Sequence, residues 1–301
     1  MIKKKSYFKN QPDHKLWFES WITELEKMNG RQYERLSIET SLGNTAVYGI
    51  NTSSHELPAF LIFPGFRTTS LIWDLDNGLD MLSKNFRVYL VETNGQPNLS
   101  DGNSPSIKSL EYGKWGEEIF NALSIDKAFI AGASFGGLVC MKISIVIPDR
   151  IKAAFLLNPA CFRLVSLQPK NLYYNFLPII STSKKNIQKF LNQVIFDKPN
   201  HQLSEKGEQH LIEYLEYVLL NYKDNTEKPY YMGKQLNTVK VETYLFQGTR
   251  DILIPFEKSE RRARKHLNNN LKEVHTASTG HGIETHRPTL DHICEIAKKY
   301  Y

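Results

Sequence analysis

Five short, continuously apolar runs separated by helical stretches constrain this chain more than any other feature. They are AFLIF (59–63), RVYLVE (87–92), AFIAGA (128–133), AAFLLN (153–158) and VETYLF (241–246). A strand that is apolar on both faces must be covered on both faces, and a parallel sheet flanked by helices does this. The pattern therefore predicts an α/β domain. Before these runs, ERLSIET and TAVYGIN flank Gly43-Asn44 and predict a β-hairpin. Trp17, Phe18, Trp21, Ile22, Leu25 and Met28 form one apolar face of a helix that opens near Pro12 and Asp13, closes at Asn29-Gly30 and docks on the body. The 301 residues then read as one domain, with residues 1–30 a helical N-terminal extension.

The alternation of strand and helix breaks between Leu157 and Lys240. Residues 163–238 instead carry helical patterns, such as Ile187, Phe190, Leu191, Val194 and Ile195, then Leu211, Ile212, Leu215, Val218, Leu219 and Tyr222. A helical lid inserted over the carboxyl edge of the sheet accounts for them. The competing reading is a set of extra core helices that touch no site.

Composition removes several classes of function. No apolar run approaches the roughly 20 residues of a membrane span. The start MIKKKSYFKN is basic, but polar residues follow where a signal peptide needs an apolar segment, so a cytoplasmic protein is expected. Three widely spaced cysteines, Cys140, Cys161 and Cys294, suggest neither a disulfide framework nor a paired-cysteine zinc site. The formal charge of +6 arises from 38 basic and 32 acidic residues mixed along the chain, so no nucleic-acid partner is expected and a small-molecule substrate is. A monomer or a homodimer fits this composition.

Residues 128–140, AFIAGASFGGLVC, carry the chemistry. Gly132, Ser134 and Gly136 have G-x-S-x-G spacing where a strand gives way to a helix that runs through Leu138, Met141, Ile143 and Val146 and stops before Pro148. A serine hydroxyl is a poor nucleophile until a sharp turn presents it to a base beside backbone N–H groups. The competing reading is a glycine-rich turn with an incidental serine. Three later or earlier segments supply what such a serine needs. Pro64-Gly65-Phe66-Arg67 follows the strand AFLIF and offers the Phe66 N–H to pair with that of Phe135 as an oxyanion hole. Asp251, in GTRDILIP, follows the strand VETYLF, and His281, in STGHGIETH, follows the strand-like EVHTA.

These segments, FPGF, GASFGG, GTRDILIP and TGHG, resemble the α/β-hydrolase superfamily in the order nucleophile, acid, histidine. The resemblance spans roughly residues 55–300 and is nearest to lid-bearing carboxylesterases and peptidases. It implies a mostly parallel eight-stranded sheet flanked by helices with a helical lid inserted after the sixth strand. It also implies a triad of Ser134, Asp251 and His281, oxyanion donors at Phe66 and Phe135, and no cofactor or metal. Two departures stand out: Pro64 replaces the usual histidine of the oxyanion loop, and ETNGQPNLSDG replaces an aspartate-led loop after the fourth strand.

Other residues compete for roles. Asn158 occupies the alternative acid position and is neutral; Asp224 reads as a solvated lid residue. His275, His286 and His292 crowd around His281 but do not match HExxH and specify no partner carboxylate, so no metal is expected. Arg261, Arg262, Arg264 and Lys265 read as a salt-bridged, solvated helix face, with Glu257 and Glu260 four residues before Arg261 and Arg264. Cys140 and Cys161 read as buried packing, while Phe135 and Trp73 are candidates to border an acyl pocket. The expected reaction is carboxylester hydrolysis through an acyl-enzyme on Ser134. The alternatives are an aminopeptidase or amidase, whose lid acids Glu205, Glu208, Glu213 or Glu216 would meet an ammonium group, and a small-ligand binder without turnover.

Overall fold

A computed structural model of the chain describes residues 2–9 and 13–301; Pro12, expected with Asp13 to open the first helix, lies outside the described residues. The central sheet has eight strands: β1 Glu34–Thr40, β2 Gly43–Ile50, β3 Ala59–Phe63, β4 Arg87–Val91, β5 Ala128–Ala133, β6 Ile151–Leu157, β7 Thr243–Gly248 and β8 Leu271–Ala277. Their spatial order is β8-β7-β6-β5-β3-β4-β2-β1. The β1–β2 and β2–β4 pairs are antiparallel and the other five are parallel. From β3 the chain moves outward to β4, then returns to lay β5 on the other side of β3. The crevice between the carboxyl ends of β3 and β5 is thus the topological switch point, where open α/β sheets bind ligands.

Period-two alternation divides the core. Phe60 and Ile62 face one buried cluster, and Ala59, Leu61 and Phe63 face the other. Helices α3 (Glu111–Ala122), α4 (Phe135–Val146) and α8 (Phe256–Leu267) cover the second cluster. Helices α1 (Asp13–Asn29), α2 (Asp80–Asn85) and α9 (Arg287–Lys298) cover the first, joined by part of the inserted segment. No helix of the described residues is long and apolar enough to cross a membrane.

Several boundaries differ from expectation. Thr40 pairs with Gly43, so the hairpin turn is Ser41-Leu42. Gly43, φ +94°, is instead the first residue of β2: a glycine that accommodates a left-handed backbone need not sit in the turn itself. The N-terminal extension is not wholly helical, because Ile2–Lys5 and Tyr7–Phe8 form two-stranded ribbons with Asn103–Pro105 and Tyr222–Lys223. Helix α1 buries the expected face, Phe18, Trp21, Ile22 and Leu25.

Between β6 and β7 the chain runs through α5 (Pro169–Ile180), α6 (Lys184–Phe190), a π-helical turn at Leu191–Ile195 and α7 (Glu205–Asn221). The buried face of α7 meets α1. Trp17 stacks on Tyr217 at 3.8 Å, Trp21 stacks on His210 at 4.3 Å, and the Trp21 indole N–H donates to the His210 carbonyl. At its other end α1 is tied down by Asp74, a fully buried carboxylate that accepts from Asn29, Arg31, Tyr33 and the Leu79 N–H.

Candidate active site

Ser134 stands between β5 and α4 at φ +48°, ψ −108°, a conformation that a non-glycine residue holds only under constraint from its surroundings. The glycines two residues to either side make the turn sterically feasible. A Cβ on Gly132 would lie 2.3 Å from the Gly136 carbonyl carbon, and one on Gly136 would lie 2.2 Å from the Phe63 oxygen. Neither place has room for a side chain. The elbow is clamped to β6 and the residues after it: Ser134 N–H donates to Leu157 O at 2.8 Å, and Ser134 O accepts from Ala160 N–H at 2.9 Å. Ser134 itself is partly exposed. The turn after β3 lies alongside, since a Cβ on Gly65 would approach the Ser134 Cβ to 3.8 Å.

The loop after β7 carries Asp251 and the loop after β8 carries His281. His281 Nδ1 and Asp251 Oδ2 are hydrogen-bonded at 2.7 Å, both residues being buried. The other carboxylate oxygen of Asp251 accepts 2.8 Å bonds from Leu253 and Ile254 N–H, fixing the group as an orienting acceptor. Burial disfavours a charged imidazole at His281. The charge and hydrogen bond of Asp251 outweigh that, and with a contribution from Glu284 the pKa is raised above 6.5. Ser134 and His281 are not hydrogen-bonded to each other among the described residues, as is common before substrate tightens such contacts.

Four residues with no role assigned to them from the sequence organise this edge: Asn158, Asp224, Glu92 and Gln96. Asn158, noted only as a neutral occupant of an acid position, is a strut. Its Oδ1 accepts from Gly248 N–H at 2.8 Å and its Nδ2 donates to Gly280 O and His281 O at 3.1 and 3.0 Å. It joins the end of β6 to the end of β7 and to the histidine loop, which a carboxylate could not do because it cannot donate. Asp224 is not solvated. Its side chain is 7% exposed and accepts from Arg67 Nε at 2.9 Å, because the turn after β3 puts a guanidinium beside it. Glu92, at the end of β4, is fully buried and accepts from the Thr69 hydroxyl and from Ser70 Oγ and N–H. Burial pushes its carboxyl up to about 7. Gln96, in the same family-divergent loop, accepts the Arg67 N–H at 2.7 Å, so this loop shapes the turn after β3 from below.

Carbonyls of the segment between β6 and β7 hold the loop that carries His281. His281 N–H donates to Val194 O at 2.6 Å and Gly282 N–H to Ile195 O at 3.1 Å. His201, whose pKa burial pushes down to about 4, bridges the Thr279 and Thr285 hydroxyls on either side of His281. Glu284, three residues past His281, has a carboxyl oxygen that is buried without a hydrogen-bond partner among the described residues. Its pKa is raised by burial to about 6.

The remaining candidates fall into place individually. Phe135 and Trp73 belong to the buried core and leave no accessible ring wall. The Cys140 and Cys161 thiols are buried and raised in pKa by that burial, and all three cysteines are free. Arg264 pairs with Glu260 as its spacing suggests, whereas Arg262 lies 3.8 Å over the Tyr231 ring. Of the histidines near His281, His286 packs edge-on against His201, while His275 and His292 meet elsewhere, with Glu273.

A strained serine elbow at the switch point of an eight-stranded sheet, with acid and histidine loops leaving the same edge, defines the α/β-hydrolase fold. Solved structures agree: naproxen esterase (carboxylesterase NP) from Bacillus subtilis superposes with TM-score 0.77 at 19% identity, covering 97% of this chain and 99% of that one. Carboxylesterase CesB (YbfK) from the same organism superposes with TM-score 0.74 at 17% identity, covering 95% and 97%. At the sequence level the chain is 29% identical over 161 residues to the uncharacterized carboxylesterase nap of Bacillus subtilis and 24% identical over 127 residues to its carboxylesterase YbfK. These matches cover 54% and 42% of this chain, and the chain spans about half the length of these relatives, 51% and 42%. A pimeloyl-[acyl-carrier protein] methyl ester esterase of Wigglesworthia glossinidia brevipalpis is 26% identical over 207 residues, covering 64% of this chain and 74% of that protein. No family model matches the chain.

Proposed function

We propose that this protein is a serine carboxylesterase acting on small to medium esters, with Ser134 as nucleophile, His281 as base and Asp251 as the acid that orients it. The observation that carries the reading is the buried 2.7 Å Asp251–His281 hydrogen bond, on loops that leave the same sheet edge as the strained Ser134 elbow. The esterase character of its relatives supports it.

His281 takes the Ser134 proton as the oxygen attacks the ester carbonyl carbon, and Asp251 stabilises the imidazolium that forms. The oxyanion rests on the N–H groups of Phe66 and of Phe135, the first residue of α4, whose N–H is directed along the helix axis with the positive end of the dipole. Collapse expels the alcohol, which leaves with the proton from His281. Water then repeats the sequence, releasing the carboxylic acid and restoring the serine.

The insertion over 163–238 is the lid of this site. Its α7 is fixed by the aromatic stacking on α1, whereas Leu167 on the approach to α5 and Ile180 at its end are 79% and 82% exposed, with Tyr173 and Phe176 exposed between them. Apolar surface of this extent on one side of a helix is what a cover for apolar acyl chains presents. The amidase reading has less support. Glu208 is engaged by Lys198 at 2.7 Å, Glu205 and Glu213 are exposed and Glu216 is half-buried, so three of these four lid acids are already paired or solvated.

The test is labelling of the purified full chain with a fluorophosphonate probe, followed by hydrolysis of p-nitrophenyl esters of increasing chain length beside aminoacyl anilides. Labelling at Ser134 that is lost in Ser134→Ala and weakened in His281→Ala, with turnover of esters, is expected. A folded wild type that resists the probe overturns the assignment and favours a ligand binder.

A further inference from the structure

Strand β8 is an edge strand, hydrogen-bonded on one side only, and α9 is the last helix of the chain. Glu273 and His275, two residues apart on β8, project from the same face of the strand. His292 on α9 reaches them: its Nε2 lies 2.8 Å from Glu273 Oε1, and its ring centroid lies 4.8 Å from that of His275. One donor atom from each of the three residues falls within 4.8 Å of the other two. Both imidazoles back onto the Phe246 ring, at 5.6 and 5.9 Å, which walls the cluster on its inner side. The outer side is open, since the side chains of His292 and Glu273 are 35% and 40% exposed.

From this juxtaposition we propose a divalent transition-metal site, best matched to Zn²⁺, formed by Glu273, His275 and His292 on the outer edge of the sheet. Two imidazoles and one carboxylate suit zinc better than the hard cations Mg²⁺ and Ca²⁺, which take oxygen ligands. Bond lengths of about 2.1 Å around a tetrahedral ion place ligand atoms ~3.4 Å apart. The present separations, from 2.8 Å between His292 and Glu273 up to at most 4.8 Å, bracket that value, so the partly exposed side chains need adjust by little more than an ångström to take an ion. Three protein ligands with an open outer face leave the fourth position to water.

The role is structural. None of the three residues hydrogen-bonds to Ser134, Asp251 or His281 among the described residues, and the ion's consequence is to pin α9 to the face of β8. In the sequence His275, His286 and His292 crowd together without a specified carboxylate, and no metal was expected; the fold supplies Glu273 from β8 beside His275 and His292, while His286 faces His201 instead.

The experiment uses the tag-free full chain, stripped with a chelator and dialysed, then titrated with ZnCl₂ by calorimetry and followed by thermal melting. One Zn²⁺ per chain and a rise in Tm that MgCl₂ does not reproduce are expected. His275→Gln and His292→Gln should each weaken binding by tenfold or more, an effect at least as large as that of losing an outer-shell partner, while His286→Gln keeps wild-type affinity. Melting of each variant in chelator controls for folding. Zn²⁺ binding that survives both substitutions in folded protein, or absence of a stoichiometric site in the wild type, overturns the proposal.

Discussion

His281, the proposed base, illustrates how two opposing effects set one imidazole's readiness to take a proton. Burial lowers the tendency of its imidazole to charge, and Asp251 raises it by more, so the ring titrates above its ordinary value. A base must be neutral to accept the Ser134 proton. Ester hydrolysis, measured as kcat/KM, is therefore expected to fall as pH drops through a midpoint above 6.5. Asp251→Asn should move that midpoint down, and should lower kcat by ~10⁴ through the wrong imidazole tautomer. A pH–rate profile in which the limb of Asp251→Asn coincides with the wild type would sink the orienting role. Asp251 and His281 were legible in the sequence because each follows an apolar strand at a glycine-flanked loop. Asn158 was not, because its value lies in donating and accepting at once between loops 90 and 122 residues away in the chain.

At the scale of elements, the N-terminal helix was readable as amphipathic, but not its partner. Its apolar face required burial; that part of this burial is against α7 of the inserted segment, near residues 210–217, follows from the return path of the chain over the sheet. Trp21 is the central contact, buried, stacked on His210 and hydrogen-bonded to its carbonyl. Trp21→Ala leaves a large cavity between two helices and a carbonyl without its donor, so a loss of about 3–5 kcal/mol is expected from urea unfolding. A loss below about 1 kcal/mol would show that α1 is not stapled to the insertion. The glycine at position 43 illustrates a misplaced turn boundary at this scale: it signalled an unusual backbone, and the hairpin used it one residue beyond the turn.

For the whole molecule, buried polar groups make stability depend on pH. Glu92 has a pKa near 7 in the folded protein against 4.5 for the free side chain, burial being the main cause. The fold therefore prefers the protonated carboxyl. Its stabilising contribution is complete below about 4.5 and is lost as pH rises through about 7, amounting to roughly 3 kcal/mol. Glu92→Gln keeps a neutral group of the same shape, so wild type should lose stability relative to this variant between pH 5 and 8 by that amount. Parallel pH dependences in urea midpoints would show that Glu92 does not titrate in this range. The same residue tethers the segment just after the turn that carries Phe66, which couples the sheet interior to the candidate oxyanion loop.

The features legible in the chain without its fold are local and periodic. Runs apolar on both faces must be covered on both faces, as interior strands of a parallel sheet are, and glycines around a serine at a strand-to-helix boundary permit a tight turn there. These follow from the chain's own sterics and hydrophobicity, independent of distant residues. Tertiary structure alone decided the partners: Arg67 for Asp224, the π turn for the histidine loop, Asn158 between three segments, and Glu273 for two histidines. Such pairings depend on which loops the sheet order brings to one edge, and single hydrogen bonds or ligand positions leave no period or spacing in the chain.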